Sequence, residues 1–130
     1  MKKTGLPVIA MVNIDSVGMT PTKVWAARAD KQLLQLAASA AVAVAAAAPL
    51  SAMSVDRVGD SDSHPFQEKK IPVIDFHSLT QENFGVLHTD TDQLGKIDRA
   101  AYSETCRFLS VLLAYLDVKL VSHTSARVNP

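Results

Sequence analysis

Two short runs of apolar, mostly branched residues set the strongest limit on the fold. Leu6 to Ile14 reads Leu-Pro-Val-Ile-Ala-Met-Val-Asn-Ile, and Ile71 to Phe76 reads Ile-Pro-Val-Ile-Asp-Phe. Neither run alternates apolar with polar residues, a pattern typical of strands covered on both faces inside α/β sheets. Pro72 stands near the start of its run, where a missing N–H is tolerated. Between the runs, Asp30 is placed as an N-cap ahead of Leu33, Leu34, Leu36, Ala37, Ala40 and Val44 at helical spacing. That predicts a helix from Asp30 to about Ala47, ended by Pro49. Leu50 to Val58 reads as a short strand, and Pro65 opens one or two helical turns over Phe66 to Lys69. Asp98 caps a last helix whose apolar stripe is read as Tyr102, Cys106, Leu109, Leu113 and Leu116. Strands and helices that alternate in this way predict an α/β fold with a mostly parallel sheet flanked by helices.

The totals narrow the class. The chain has 130 residues, enough for one domain, read as 1–122 with 123–130 as a frayed tail. Thirteen basic and thirteen acidic residues balance to zero, which leaves no basic footprint for nucleic acid. Zero net charge also gives little protection against self-association. One cysteine, Cys106, excludes an internal disulfide, and it is expected as a small buried core residue. Leu33 to Met53 carries no charge and is long enough to span a bilayer. It is mostly alanine, so a half-buried helix is expected and a membrane partner is not. Lys2-Lys3 and the apolar residues after them imitate an export signal, but Pro7 interrupts them and no clean cleavage site follows. The compartment is left open.

Polar residues that could carry chemistry fall at the ends of these elements. Asp15 closes the first run, and ligands in open α/β sheets bind beyond the carboxyl ends of strands. A carboxylate there also serves as a turn cap. Gly18 permits a turn that a bulkier residue resists. Ser61-Asp62-Ser63-His64-Pro65-Phe66 precedes the second run, and His77 stands at its end. A polar connection from Ser78 to Asp98 contains His88-Thr89-Asp90-Thr91-Asp92. Connections of that length in a compact domain are usually functional or disordered. Asp62 and Asp92 suit turn capping as well as any site.

Taken in order, Asn13-Ile14-Asp15-Ser16-Val17-Gly18, Ser61-Asp62-Ser63-His64-Pro65-Phe66, Ile71-Pro72 and His88-Thr89-Asp90-Thr91-Asp92 with Lys96-Ile97-Asp98 resemble one family. It is the C-terminal half of the aminopeptidase-type zinc exopeptidases, which include leucyl aminopeptidases, glutamate carboxypeptidases and glutaminyl cyclases. The resemblance runs from about Pro7 to Leu120. It implies part of a three-layer sandwich, a peptide substrate and zinc as cofactor, two ions in the family. It assigns Asp15 and His88 as metal ligands. Asp62 and Asp92 become supporting groups around them, and His64 lines the pocket. Many relatives carry the motif's histidine one place earlier, where this chain has Ser63.

The resemblance also implies what is missing. The family's centre takes a histidine, a bridging aspartate and a glutamate from its N-terminal half, with a second glutamate as general base. No glutamate precedes Glu68 in this sequence. The expectation is therefore the C-terminal portion of a zinc exopeptidase domain, inactive alone and prone to self-association. The alternative is a non-catalytic interaction module derived from the same fold.

Overall fold

The computed structural model describes residues 8–44, 51–52 and 61–125. Strands β1 (Met11–Ile14), β2 (Lys23–Val24), β3 (Ser51–Ala52) and β4 (Val73–His77) form one sheet in the order β1-β4-β2-β3. Helices α1 (Lys31–Ala43), α2 (His64–Glu68) and α3 (Arg99–Ser125) flank it. The chain is thus a small α/β domain. Its sheet is mixed: β1 with β4 and β2 with β3 are parallel, while β2 runs antiparallel to β4.

β4 is the doubly covered strand that its sequence predicts, buried at every position. Ile74 and Phe76 point to one face, alternate residues of a strand sharing a side. There they meet Val24, Leu33, Ala37, Ala40, Phe108, Leu112 and Leu116 in a single apolar cluster. The Phe108 ring stands edge-on to Phe76, with centroids 5.3 Å apart and planes at 75°, a favoured aromatic geometry. Asp75 and His77 lie on the other face, where Ser61 and Ser63 close against Asp75.

β1 departs from the expectation of two covered faces. It forms an edge of the described sheet, is half-buried from Met11 to Asn13, and exposes Ile14. Among the described residues, only β4 pairs with it.

α1 begins where the sequence places it. The Asp30 carboxylate accepts hydrogen bonds from the N–H groups of Gln32 (2.8 Å) and Leu33 (3.2 Å), satisfying two of the free donors at a helix start. The helix stops at Ala43 with Val44 as its C-cap; residues 45–47 of the expected helix lie outside the described residues. So does most of the strand expected over Leu50 to Val58, of which Ser51–Ala52 is seen as β3. Three of the four buried positions of α1 are alanines, so the bulk of this core comes from β4 and α3. No helix among the described residues is long and apolar enough to cross a membrane.

α3 buries Leu116 of the predicted stripe and packs Leu109 partly against the core, but corrects the rest. Its buried residues are Ala101, Thr105, Phe108, Leu112 and Leu116. Tyr102 and Leu113 are about half exposed, at 49% and 52%, and Cys106 is exposed rather than part of the core. The helix is turned by one residue because Phe108, its largest apolar side chain, docks on Phe76. Thr105 can accept burial on that face because its hydroxyl donates to Ala101 O (2.8 Å) and pairs with Thr22 Oγ1 (2.6 Å), leaving no unpaired polar group. α3 also continues to Ser125, into the segment expected as a tail.

Candidate functional site

Asp15 lies one residue beyond β1, at the carboxyl rim. Its N–H donates to Phe76 O at 3.1 Å, so strand pairing reaches the aspartate before the chain turns. Asp15 is exposed, and its Oδ1 accepts from Ser16 Oγ at 3.0 Å.

The turn after Asp15 anchors the long connection that carries His88. Ser16 adopts a left-handed backbone (φ 50°), as does Gly18 (φ 97°). Ser16 O accepts both Ser78 N (3.0 Å) and Ser78 Oγ (2.7 Å). Met19 N donates to Ser78 Oγ at 3.0 Å, and Thr20 Oγ1 to Ser78 O at 2.7 Å. At the other end of the connection, Asp98 N donates to Gly18 O at 2.9 Å. Both ends of the Ser78 to Asp98 segment are therefore fastened to residues 16–20. The Asp98 carboxylate caps α3 through Ala101 N (2.8 Å). Glycine is required at 18, since an added Cβ there would stand 2.9 Å from Tyr102 Cδ2.

The connection itself is shaped by two 3-10 turns, Phe84–Val86 and Leu94–Lys96. His88 follows the first, exposed and left-handed at φ 61°. Thr89 Oγ1 donates to Val86 O (2.6 Å) and pairs with Thr91 Oγ1 (2.7 Å). Asp92 joins this turn through its N–H, which donates to Thr89 O at 3.1 Å. His64 is the first residue of α2 and half-buried, with Nε2 3.9 Å from Glu68 Oε1. Asp62 is exposed, between two serines that turn inward. His77 does hydrogen-bond within the core: it is buried, and its Nδ1 accepts Leu79 N at 3.1 Å.

Sequence reasoning did not single out Asp75, which is 4% exposed. Its Oδ1 accepts from Asn13 Nδ2 (3.0 Å) and from Ser61 Oγ, and its Oδ2 from Ser63 Oγ (2.9 Å). Asn13 Nδ2 also donates to Ser61 Oγ at 3.0 Å. The available signal was an acidic residue inside an otherwise apolar run, since such a group is buried only with hydrogen-bond partners. Lys23, facing His77 across the β2–β4 ladder, was missed too. Its ammonium donates to Thr20 Oγ1 (2.5 Å) and Pro21 O (3.1 Å), and burial lowers its pKa below the ordinary lysine value.

An oxygen from Asp15 and a nitrogen from His88 are suitable zinc donors, but two donors do not complete a four-coordinate site. Among the described residues, no group of three or more His, Cys, Asp or Glu side chains is placed to hold a metal ion. No hydrolytic step is therefore assigned to these residues alone. Two surface cavities, of about 310 and 430 Å³, are lined by other residues.

The sequence profile of peptidase family M28 matches residues 2–113. No curated protein and no solved structure matches the chain.

Proposed function

We propose, from the premise that the chain belongs to peptidase family M28, that it supplies one side of a zinc-dependent aminopeptidase centre. Asp15 and His88 are its metal ligands. The fold of the whole unit is then a three-layer sandwich with a mostly parallel sheet, of which this chain forms the C-terminal portion. Bound zinc supplies Lewis acidity toward a peptide carbonyl and its attacking water. On this reading Asp15 offers one oxygen donor at the end of β1, and His88 one nitrogen donor from the long connection. Asp62, Asp92 and His64 shape the surroundings of those donors. Among the described residues no group of three or more His, Cys, Asp or Glu is placed to hold a metal ion, and on this reading the other ligands and the general base come from elsewhere, so the chain alone is inactive.

The reading rests on one observation: both ends of the segment bearing His88 are hydrogen-bonded to the turn that follows Asp15. The two ends of the connection, at Ser78 and Asp98, are thereby held beside the end of β1, which supports the reading. The test is a zinc titration of the isotope-labelled chain, together with an aminoacyl p-nitroanilide assay. Asp15 and His88 signals are expected to move together and weakly, with no turnover. Zinc that leaves both signals unmoved overturns the ligand assignment. Turnover that a chelator abolishes overturns the incomplete centre.

A second reading has its own support. β1 is an edge of the described sheet; Ile14 at its end, and Val8 and Ile9 just before it, are exposed. Unpaired edges and apolar surface favour association. On this reading the chain is a non-catalytic module that pairs along β1 with a partner or a second copy. A clean monomer by light scattering counts against pairing with a second copy.

A further inference from the structure

The buried carboxylate of Asp75 holds Asn13, two residues before Asp15, and Ser61 and Ser63, on either side of Asp62. Asn13 stands directly opposite Asp75 in the parallel β1–β4 ladder. Asp15 comes two positions later, and its N–H keeps the ladder going to Phe76 O. Residues two apart in an extended strand share a face, so what fixes Asn13 fixes the side from which Asp15 leaves the sheet. Asp62 is bracketed in the same way. Ser61 and Ser63, one on each side, both donate to Asp75, one to each oxygen. Ser63 is fully buried, and its N–H folds back onto Ser61 Oγ at 3.3 Å. The turn therefore has its two serines facing inward and Asp62 outward.

We propose that Asp75 is a positioning residue that couples the two acidic candidates. One carboxylate fixes the end of β1 and the turn before α2 together, so that Asp15 and Asp62 are presented in a single arrangement. Three donors from two separate segments converge on it: Asn13 from β1, and Ser61 and Ser63 from the turn. An ionised carboxyl group only accepts hydrogen bonds, which suits all three. An amide in its place puts an N–H where an acceptor stood, so a serine hydroxyl must reverse its bond and the network is weakened. The proposal rests on the peptidase reading only in taking Asp15 and Asp62 as site residues.

The test compares Asp75→Asn, Ser63→Ala and Ser63→Thr in the full chain by amide hydrogen exchange and by carboxyl-carbon chemical shifts. In Asp75→Asn the amides of Asp15 and Ser63 are expected to exchange about tenfold faster or more, while those of Phe108 and Leu112 stay within about twofold. The carboxyl carbons of Asp15 and Asp62 shift together. Ser63→Ala gives a smaller shift at both, and Ser63→Thr, which keeps the hydroxyl, restores them. Should Asp75→Asn fail to fold, the Ser63 pair decides. A response at only one of the two aspartates, a uniform rise in exchange that includes Phe108 and Leu112, or no rescue by threonine overturns the proposal. A zinc arm separates the two claims. If zinc moves Asp15 in the parent chain, Asp75→Asn is expected to weaken binding about tenfold, the usual scale for groups that orient a ligand. If zinc does not move Asp15, the ligand assignment fails and the coupling is judged on exchange and carbon shifts alone.

Discussion

Asn13 and Asp75 face each other across the β1–β4 ladder, and their side chains are joined by a hydrogen bond of 3.0 Å. That contact ties the edge strand to the buried central strand on the sheet face where Ser61 and Ser63 also close on Asp75. On the opposite face, Phe76 and Phe108 tie the same central strand to α3. Predictions about stability can be assigned to one face or the other.

Phe108→Ala removes the ring that docks on Phe76 and leaves a cavity in the main cluster. A loss of about 3–5 kcal/mol is expected from urea unfolding. Leu113→Ala, on the exposed side of α3, should change stability by no more than about 0.5 kcal/mol. Equal losses would restore the stripe read from sequence and contradict the observed helix phase.

Gly18→Ala meets two obstacles, a positive φ and a Cβ placed 2.9 Å from Tyr102 Cδ2. The backbone cost alone is about 1 kcal/mol, and the contact adds to it. In a double-mutant cycle, Tyr102→Ala should relieve the contact and leave the backbone cost. Thermal or urea midpoints of the four proteins measure this directly.

Lys23 has a folded-state pKa below its ordinary 10.5 because burial disfavours the ammonium. Between the lowered value and 10.5, the unfolded chain binds more protons than the folded one. Its contribution therefore makes stability rise with pH through that window. Unfolding free energies at pH 7 and pH 10 should show a gain in the parent chain that Lys23→Met lacks. A slope identical in the two proteins would remove Lys23 as its source.

Cys106 is exposed, beside a cavity also lined by Val44, Arg107, Ser110 and Val111. An aromatic disulfide reagent should modify it fully in the native protein, at a rate close to that of the unfolded chain. Protection that is lost only in denaturant would return Cys106 to the core.

Local chemistry made part of the fold legible. Asp30 and Asp98 were read as caps and act as caps, because a cap needs only a short polar side chain and the next few N–H groups. The Ile71 run was read as a covered strand, and β4 is one, because unbroken apolar sequence has nowhere else to go. The run beginning at Leu6 carries the same signal, yet β1 is half-exposed: coverage depends on what packs beside a strand. The stripe of α3 held at Leu116 and in part at Leu109, and failed at Tyr102, Cys106 and Leu113 for a similar reason. Leu113 and Tyr102 are as apolar as residues that are buried, and only the position of Phe76 selects Phe108, with Thr22 making Thr105 acceptable.

For the site, sequence alone supplied the residue types and their order: a carboxylate after a strand, Asp62 and His64 in the polar segment before a second strand, and a histidine in a long polar connection. Those follow from element ends and family-like motifs, which are local. The fastening of Ser78 and Asp98 to the turn after Asp15, and the convergence of Asn13, Ser61 and Ser63 on Asp75, exist only once distant segments meet. Hydrogen bonds between such segments depend on register and strand order, and those are set by which faces bury together across the whole sheet.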